Sequence, residues 1–150
     1  MTLIELMIVL SITAIMVGFA APGVFMARDS ASRRSARQEL AGAFAATRAA
    51  ALQKGKIATL TLTSSSATVS VLSGIAGTAI TVLGPIQFNT SLLATIEPLN
   101  GAPATISYNA RGMLTPTPVG TQKYQVSVGY LRDTLCISPA GIILPRGCEL

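Results

Sequence analysis

The sequence predicts an α+β fold: a long N-terminal α-helix, transmembrane in its first half and amphipathic in its second, packed on an antiparallel β-sheet head. Three observations carry that expectation. Residues 6 to 27 contain no charged side chain. Residues 28 to 56 are basic and rich in alanine, with apolar side chains near the i, i+3, i+4 spacing of a helix face. Beyond Gly55 the apolar period falls to two, the period of a half-buried strand. The corresponding units are 1–27, the membrane or core half of the helix; 28–55, its amphipathic half; and 56–150, the head.

Bulk composition agrees. The chain has the length of one domain, 150 residues, yet it is 50% hydrophobic and only 11% charged, with a mean hydropathy of +0.57. Soluble domains are about a quarter charged, so part of this chain must face lipid or another subunit. The balance excludes disorder and collagen-like repeats. There is no histidine, which excludes Ser-His-Asp and Cys-His catalysis and His-ligated zinc. Two cysteines and six acidic residues leave little for other chemistry, and neither a cofactor, a metal nor an enzymatic activity is expected.

The run LMIVLSITAIMVGFAAPGVFMA (6–27) is 22 residues long, and a bilayer core of about 30 Å needs roughly 20 in a helix. A cleaved secretory signal would place its basic residues before the apolar run, whereas here they follow it. Gly18, Pro22 and Gly23 are expected to break the helix, which in lipid requires neighbouring protein to satisfy the freed backbone groups. Glu5 sits at the edge of this run, where an acid is costly unless it meets headgroups or a positive partner. An α-amino group at residue 1, its own or a neighbour's, is the partner nearest in sequence.

These first residues, MTLIELMIVLSI, resemble the mature amino terminus of type IV pilins and type II secretion pseudopilins, Phe-Thr-Leu-Ile-Glu-Leu followed by an apolar helix. Thr2 to Leu6 match without substitution, and Met1 stands where Phe is usual. The resemblance implies removal of a basic leader by a prepilin peptidase, methylation of the new amino terminus at Met1, and assembly into a filament on an inner-membrane platform driven by a separate ATPase. It places Thr2 and Glu5 in assembly, with Glu5 neutralising the amino terminus of a neighbouring subunit.

In the second half of the helix, Leu40, Ala41, Phe44, Ala45, Ala51 and Leu52 form the expected apolar face, and Gly55 after Lys54 the expected stop. Some 50 helical residues make a rod of roughly 75 Å, too long for a 150-residue globule to bury. Its first half must be solvated by lipid, then by copies of itself. Between Arg28 and Lys56, seven basic residues stand against Asp29 and Glu39, a net +5 that equals the charge of the whole chain. Directly after a span, such a cluster suits headgroups or a filament wall better than nucleic acid.

In the head, IATLTLT (57–63) and ATVSVL (67–72) read as a hairpin around Ser64 to Ser66, with further strands at 78–83, 86–88, 104–108, 124–130, 134–138 and 142–144. Gly84-Pro85, Asn100-Gly101, Arg111-Gly112 and Pro139 to Gly141 supply turns. The helix and hairpin, QELAGAFAATRAAALQKGKIATLTL, and the later ISYNARG resemble the minor-pilin and H-type pseudopilin family, and the Cys136 to Cys148 segment resembles its closing loop. The two cysteines enclose CISPAGIILPRGC on a chain expected beyond the cytoplasmic membrane, where disulfides persist, and a bridge, favoured by the turn at Pro139 to Gly141, is expected over two free buried thiols; a redox site would need closer spacing.

The resulting expectation is a structural subunit of a pilus-like filament, with major pilin, minor pilin and pseudopilin roles all open. Arg111, Lys123, Arg132 and Arg146 are candidate DNA contacts, since related minor pilins take part in DNA uptake. Against that, the head is only weakly positive and poor in aromatic side chains on which bases could stack.

Overall fold

The computed structural model of the protein describes residues 2–73, 77–144 and 148; inside the first helix the side chains of 17–22 lie outside that description. Helix α1 runs over Leu3–Lys54 and stops at Gly55, which takes the left-handed conformation (φ 61°). A side chain there would be strained, and Lys54 in the last turn complements the helix dipole. The 52 residues make a rod of about 78 Å.

The break expected at Gly18, Pro22 and Gly23 is absent, and the backbone stays helical through all three. A proline costs a helix about 3 kcal/mol through one lost hydrogen bond and a crowded carbonyl. The turns on either side are long enough to carry it.

Among the described side chains of α1, only those of its second half are buried. Ala36, Leu40, Ala43, Phe44, Thr47, Ala50 and Ala51 are buried, a stripe one helix face wide. The expected face is thus centred differently: Leu40, Phe44 and Ala51 belong to it, Ala41 lies at its margin, and Ala45 and Leu52 are exposed. Small side chains let the sheets approach closely. Thr47 is tolerated there because its hydroxyl donates to the Ala43 carbonyl at 2.6 Å.

The head has two antiparallel sheets. Strands β1 (Ala58–Leu62), β2 (Ser66–Ser73), β3 (Thr78–Gln87), β5 (Thr105–Tyr108) and β6 (Leu114–Thr115) form the first, in the order β3-β2-β1-β5-β6. Strands β4 (Thr95–Leu99), β7 (Gln122–Val128), β8 (Leu131–Ile137) and β9 (Ile143–Leu144) form the second, in the order β4-β7-β8-β9. A short helix, α2 (Phe88–Leu92), leads from β3 to β4.

Alternation sets the faces. In β7 the buried residues are Tyr124, Val126 and Val128, and in β1 they are Ala58, Leu60 and Leu62; both rows face α1, whose Phe44 ring lies 5.3 Å from that of Tyr124. The sequence reading places two strands at 78–83 and 86–88, but they are one. Gly84-Pro85 falls inside β3, where the register with β2 shifts, and an edge strand tolerates a proline that cannot donate to the ladder.

Two tyrosines tie the sheets together. The Tyr124 hydroxyl donates to the Pro103 carbonyl at 2.9 Å, and the Tyr108 hydroxyl to the Gly141 carbonyl at 3.4 Å. Burial pushes Tyr108 up to about 12, opposed by the nearby Arg48 guanidinium, and raises Tyr124 further with the help of Tyr108. Both therefore remain neutral donors at ordinary pH. Gly141 lies so close to the Tyr108 ring that a β-carbon would overlap it, and its φ is 77°.

Cys136 and Cys148 are bridged, with Cα atoms 5.3 Å apart and a sequence separation of 12. Closing such a loop is worth about 3 kcal/mol in the chain-entropy account. The double substitution Cys136→Ala, Cys148→Ala should lower the stability of the head by about that amount in urea unfolding. Reductant should move the wild type to the same midpoint. Coincident curves for oxidised and reduced protein would mean that the bridge contributes nothing.

Candidate assembly interface

The described apolar side chains in the first half of α1 are without cover. Leu3 is 81% exposed and Met26 73%, and between them Ile4, Met7, Leu10, Ile15 and Phe25 are each exposed by more than half. The head first meets the helix near Asp29. The polar residues in this stretch are internally satisfied: the Ser11 hydroxyl donates to the Met7 carbonyl at 2.7 Å and that of Thr13 to the Val9 carbonyl at 2.9 Å. Such back-bonding lets hydroxyls sit in an apolar setting without an outside partner.

At the start of the rod, Thr2 and Glu5 hold each other. The Glu5 N–H donates to Thr2 Oγ1 at 3.4 Å, and the Thr2 N–H donates to Glu5 Oε2 at 3.2 Å, a reciprocal capping box. The sequence reading misses this role. Its signal is there, since Thr-x-x-Glu directly before an apolar run is the pattern of such a cap. Glu5 also places its acid in the first turn, at the positive end of the helix dipole. Met1 lies outside the described residues, and so does its expected processing and methylation.

The span expected over 6–27 includes residues 17–22, whose side chains lie outside the described residues. Among the described residues no helix is long and apolar enough to cross a membrane.

Where the apolar run ends, helix and head come together through the β7–β8 turn. A β-carbon on Gly129 would lie 3.9 Å from the Asp29 carboxylate. One turn further along, an Arg33 Nη donates to the Arg132 carbonyl at 3.0 Å, and Arg37 pairs with Asp133 at 3.8 Å, both side chains about one-third exposed. An exposed pair of this kind is worth little.

The three candidate DNA contacts among the described residues do not form one cluster. Lys123 and Arg132 share the outer face of the second sheet. Arg132 lies opposite Ser127, four residues along β7 from Lys123, which separates them by about 13 Å. Arg111 sits in a turn of the first sheet, where the Asn109 side chain accepts from the N–H groups of Arg111 and Met113. That turn rests on α1 through Gly112, beside Arg48 and Leu52. Arg146 lies outside the described residues.

A groove of about 410 Å³ lies between the end of α1 and the β2–β3 hairpin, with Lys54, Lys56, Val71, Ser73, Ile80 and Val82 on its walls. It gathers no acid. No group of three or more metal-ligating side chains converges among the described residues.

No family model and no curated protein matches the chain. Two crystal structures of the type IV minor pilin FimU of Pseudomonas aeruginosa strain PAO1 share its fold. One, in space group P21, matches with a TM-score of 0.58 at 17% identity, over 77% of this chain and 88% of that one. The other, in space group P65, gives 0.54 at 18% identity, over 77% and 99%. The fold is pilin-like: a long N-terminal helix packed on antiparallel sheets.

Proposed function

We propose that this chain is a structural subunit of a type IV pilus or pilus-like filament, held in the inner membrane and polymerised through its N-terminal helix. The observation that carries the reading is the apolar half of α1, whose described side chains between Leu3 and Met26 are exposed while the head packs on the other half. Apolar surface on that scale needs lipid or other subunits. A bilayer suits the single chain and packed copies of the same helix suit the filament. The pilin-like fold supports the same reading.

In this scheme Glu5 neutralises the amino terminus of a neighbouring subunit as it docks, a prepilin peptidase frees and methylates residue 1, and an assembly platform supplies the force. The chain itself catalyses nothing. An H-type pseudopilin role in a type II secretion system uses the same surfaces. A minor-pilin role in DNA uptake gains nothing from Arg111, Lys123 and Arg132, which are dispersed.

The test is mass spectrometry on filaments sheared from cells and purified. The chain should be present in that fraction, and in a carbonate-resistant membrane fraction before assembly. Its copy number separates a major subunit, dominant by mass, from a scarce priming one. A chain absent from filaments and washed from membranes by carbonate would overturn the reading.

A further inference from the structure

We propose that the β7–β8 turn is a membrane-surface footing, which seats the head on an anionic bilayer through Tyr130 and the arginines around it. This rests on the reading that residues 6–27 span a bilayer. The headgroup layer on one side of a bilayer is about 5–8 Å deep. At 1.5 Å per residue it covers roughly the four or five helical residues that follow Ala27. Asp29 falls inside that layer, and Gly129 lies against the Asp29 carboxylate. The turn is therefore held at headgroup height by its own packing.

Its composition fits that height. Tyr130, the residue after Gly129, is 94% exposed, and an aromatic ring with a polar tip is favoured at the membrane interface. Leu93 is 60% exposed. It lies two residues before Thr95, the partner of Ser127 in β7, and so stands at the same end of the sheet. Arg28 and Arg34 are exposed, and Arg33 and Arg132 project nearby. The bond from Arg33 goes to a neutral carbonyl, and among the described residues Arg33 forms no ion pair within 4.0 Å. Arg28 lies in the layer, and Arg33 and Arg34, with Arg132 beside them, stand just above it, within a screening length of about 8 Å; against them is Asp29, whereas Asp133 is occupied by Arg37, a turn farther out. A net positive, aromatic-tipped surface at this depth complements anionic lipid headgroups.

The chain contains no tryptophan, so Tyr130→Trp gives a unique fluorophore at an exposed site. Val119→Trp is the control. Val119 is fully exposed and precedes the far end of β7, whose seven residues separate the two positions by more than about 20 Å.

The full chain is reconstituted in vesicles of phosphatidylcholine with roughly 30% phosphatidylglycerol, an anionic surface, and washed with alkaline carbonate. The indole of the Tyr130→Trp variant should emit further to the blue than that of the Val119→Trp control. It should also resist aqueous iodide at least threefold better and be quenched by a headgroup nitroxide. Adding Arg34→Gln and Arg132→Gln, or using phosphatidylcholine alone, should erase most of that difference. Equal iodide access for the two indoles in carbonate-resistant vesicles would overturn the footing while leaving the span intact. Loss of the chain in the wash would overturn the span and the footing with it.

Discussion

Glu5→Gln should leave the chain in the membrane and out of filaments, reducing its incorporation at least tenfold, and Glu5→Ala should do the same. The pair separates two roles that share the residue. In the structure Glu5 completes a cap with Thr2, and a capping box accepts glutamine as well as glutamate at that position, because either side chain can accept from the N-cap N–H. If Glu5 serves only the cap, Gln is silent and Ala costs the helix end about 1 kcal/mol. If it neutralises a neighbour's amino terminus among packed apolar helices, Gln fails as Ala does, because a buried charge left without its partner costs several kcal/mol. A loss of about 1.4 kcal/mol per docking event is already tenfold. The measurement is the ratio of variant to wild-type subunit in sheared filaments from cells that express both. Wild-type incorporation of Glu5→Gln would remove the charge-pairing mechanism and leave the cap.

Phe44→Ala should give the largest loss of stability of any single truncation on α1, about 3–5 kcal/mol, or a drop in Tm on the order of 10 °C. The side chain is 1% exposed and packs at a tilt against Tyr124. There it lies where the second sheet meets the helix, and the backbone on both sides is too well hydrogen-bonded to collapse into the hole. Ala45→Ser, one residue along and exposed, should fall within about 0.5 kcal/mol of wild type. Urea unfolding followed by the near-ultraviolet signal of the tyrosines reads both. A Phe44→Ala loss below about 1 kcal/mol would show that the helix is not seated as described.

Charge distribution and period make much of this legible in advance. The uncharged run, the apolar stripe around Leu40 and Phe44, the stop at Gly55 and the first hairpin each follow from one physical preference acting alone. The failures lie where two preferences compete. Gly84-Pro85 is turn chemistry, but on the outer edge of β3 a missing N–H is harmless and the strand runs on. Pro98 similarly hides β4, also an edge strand, and the five residues of α2 are too few to show a helical period. Pro22 signals a break, yet one lost bond does not part a helix of 52 residues. The stripe on α1 is turned about the helix axis from its expected place, taking in Ala43, Thr47 and Ala50 while Ala45 and Leu52 face out, and Thr47 in particular reads as polar until its hydroxyl is seen bonded to the preceding turn. In the candidate site, Glu5 stands out as a lone acid. Its reciprocal bonds with Thr2 are hidden because an unpaired acid points first to a distant charge and only second to the nearest N–H.

The buried face of α1 starts at Ala36, and the uncovered apolar stretch ends at Met26. One helix thus answers to two separate selections. A substitution before Met26 is invisible to the folding of the head, and one after Ala36 is felt there first. Drift can therefore proceed in either half without correction from the other, provided that each keeps its own fit. In such a molecule the rod can hold to a shared packing geometry while the head diverges freely. A common fold at 17% identity is the kind of relationship that this division permits.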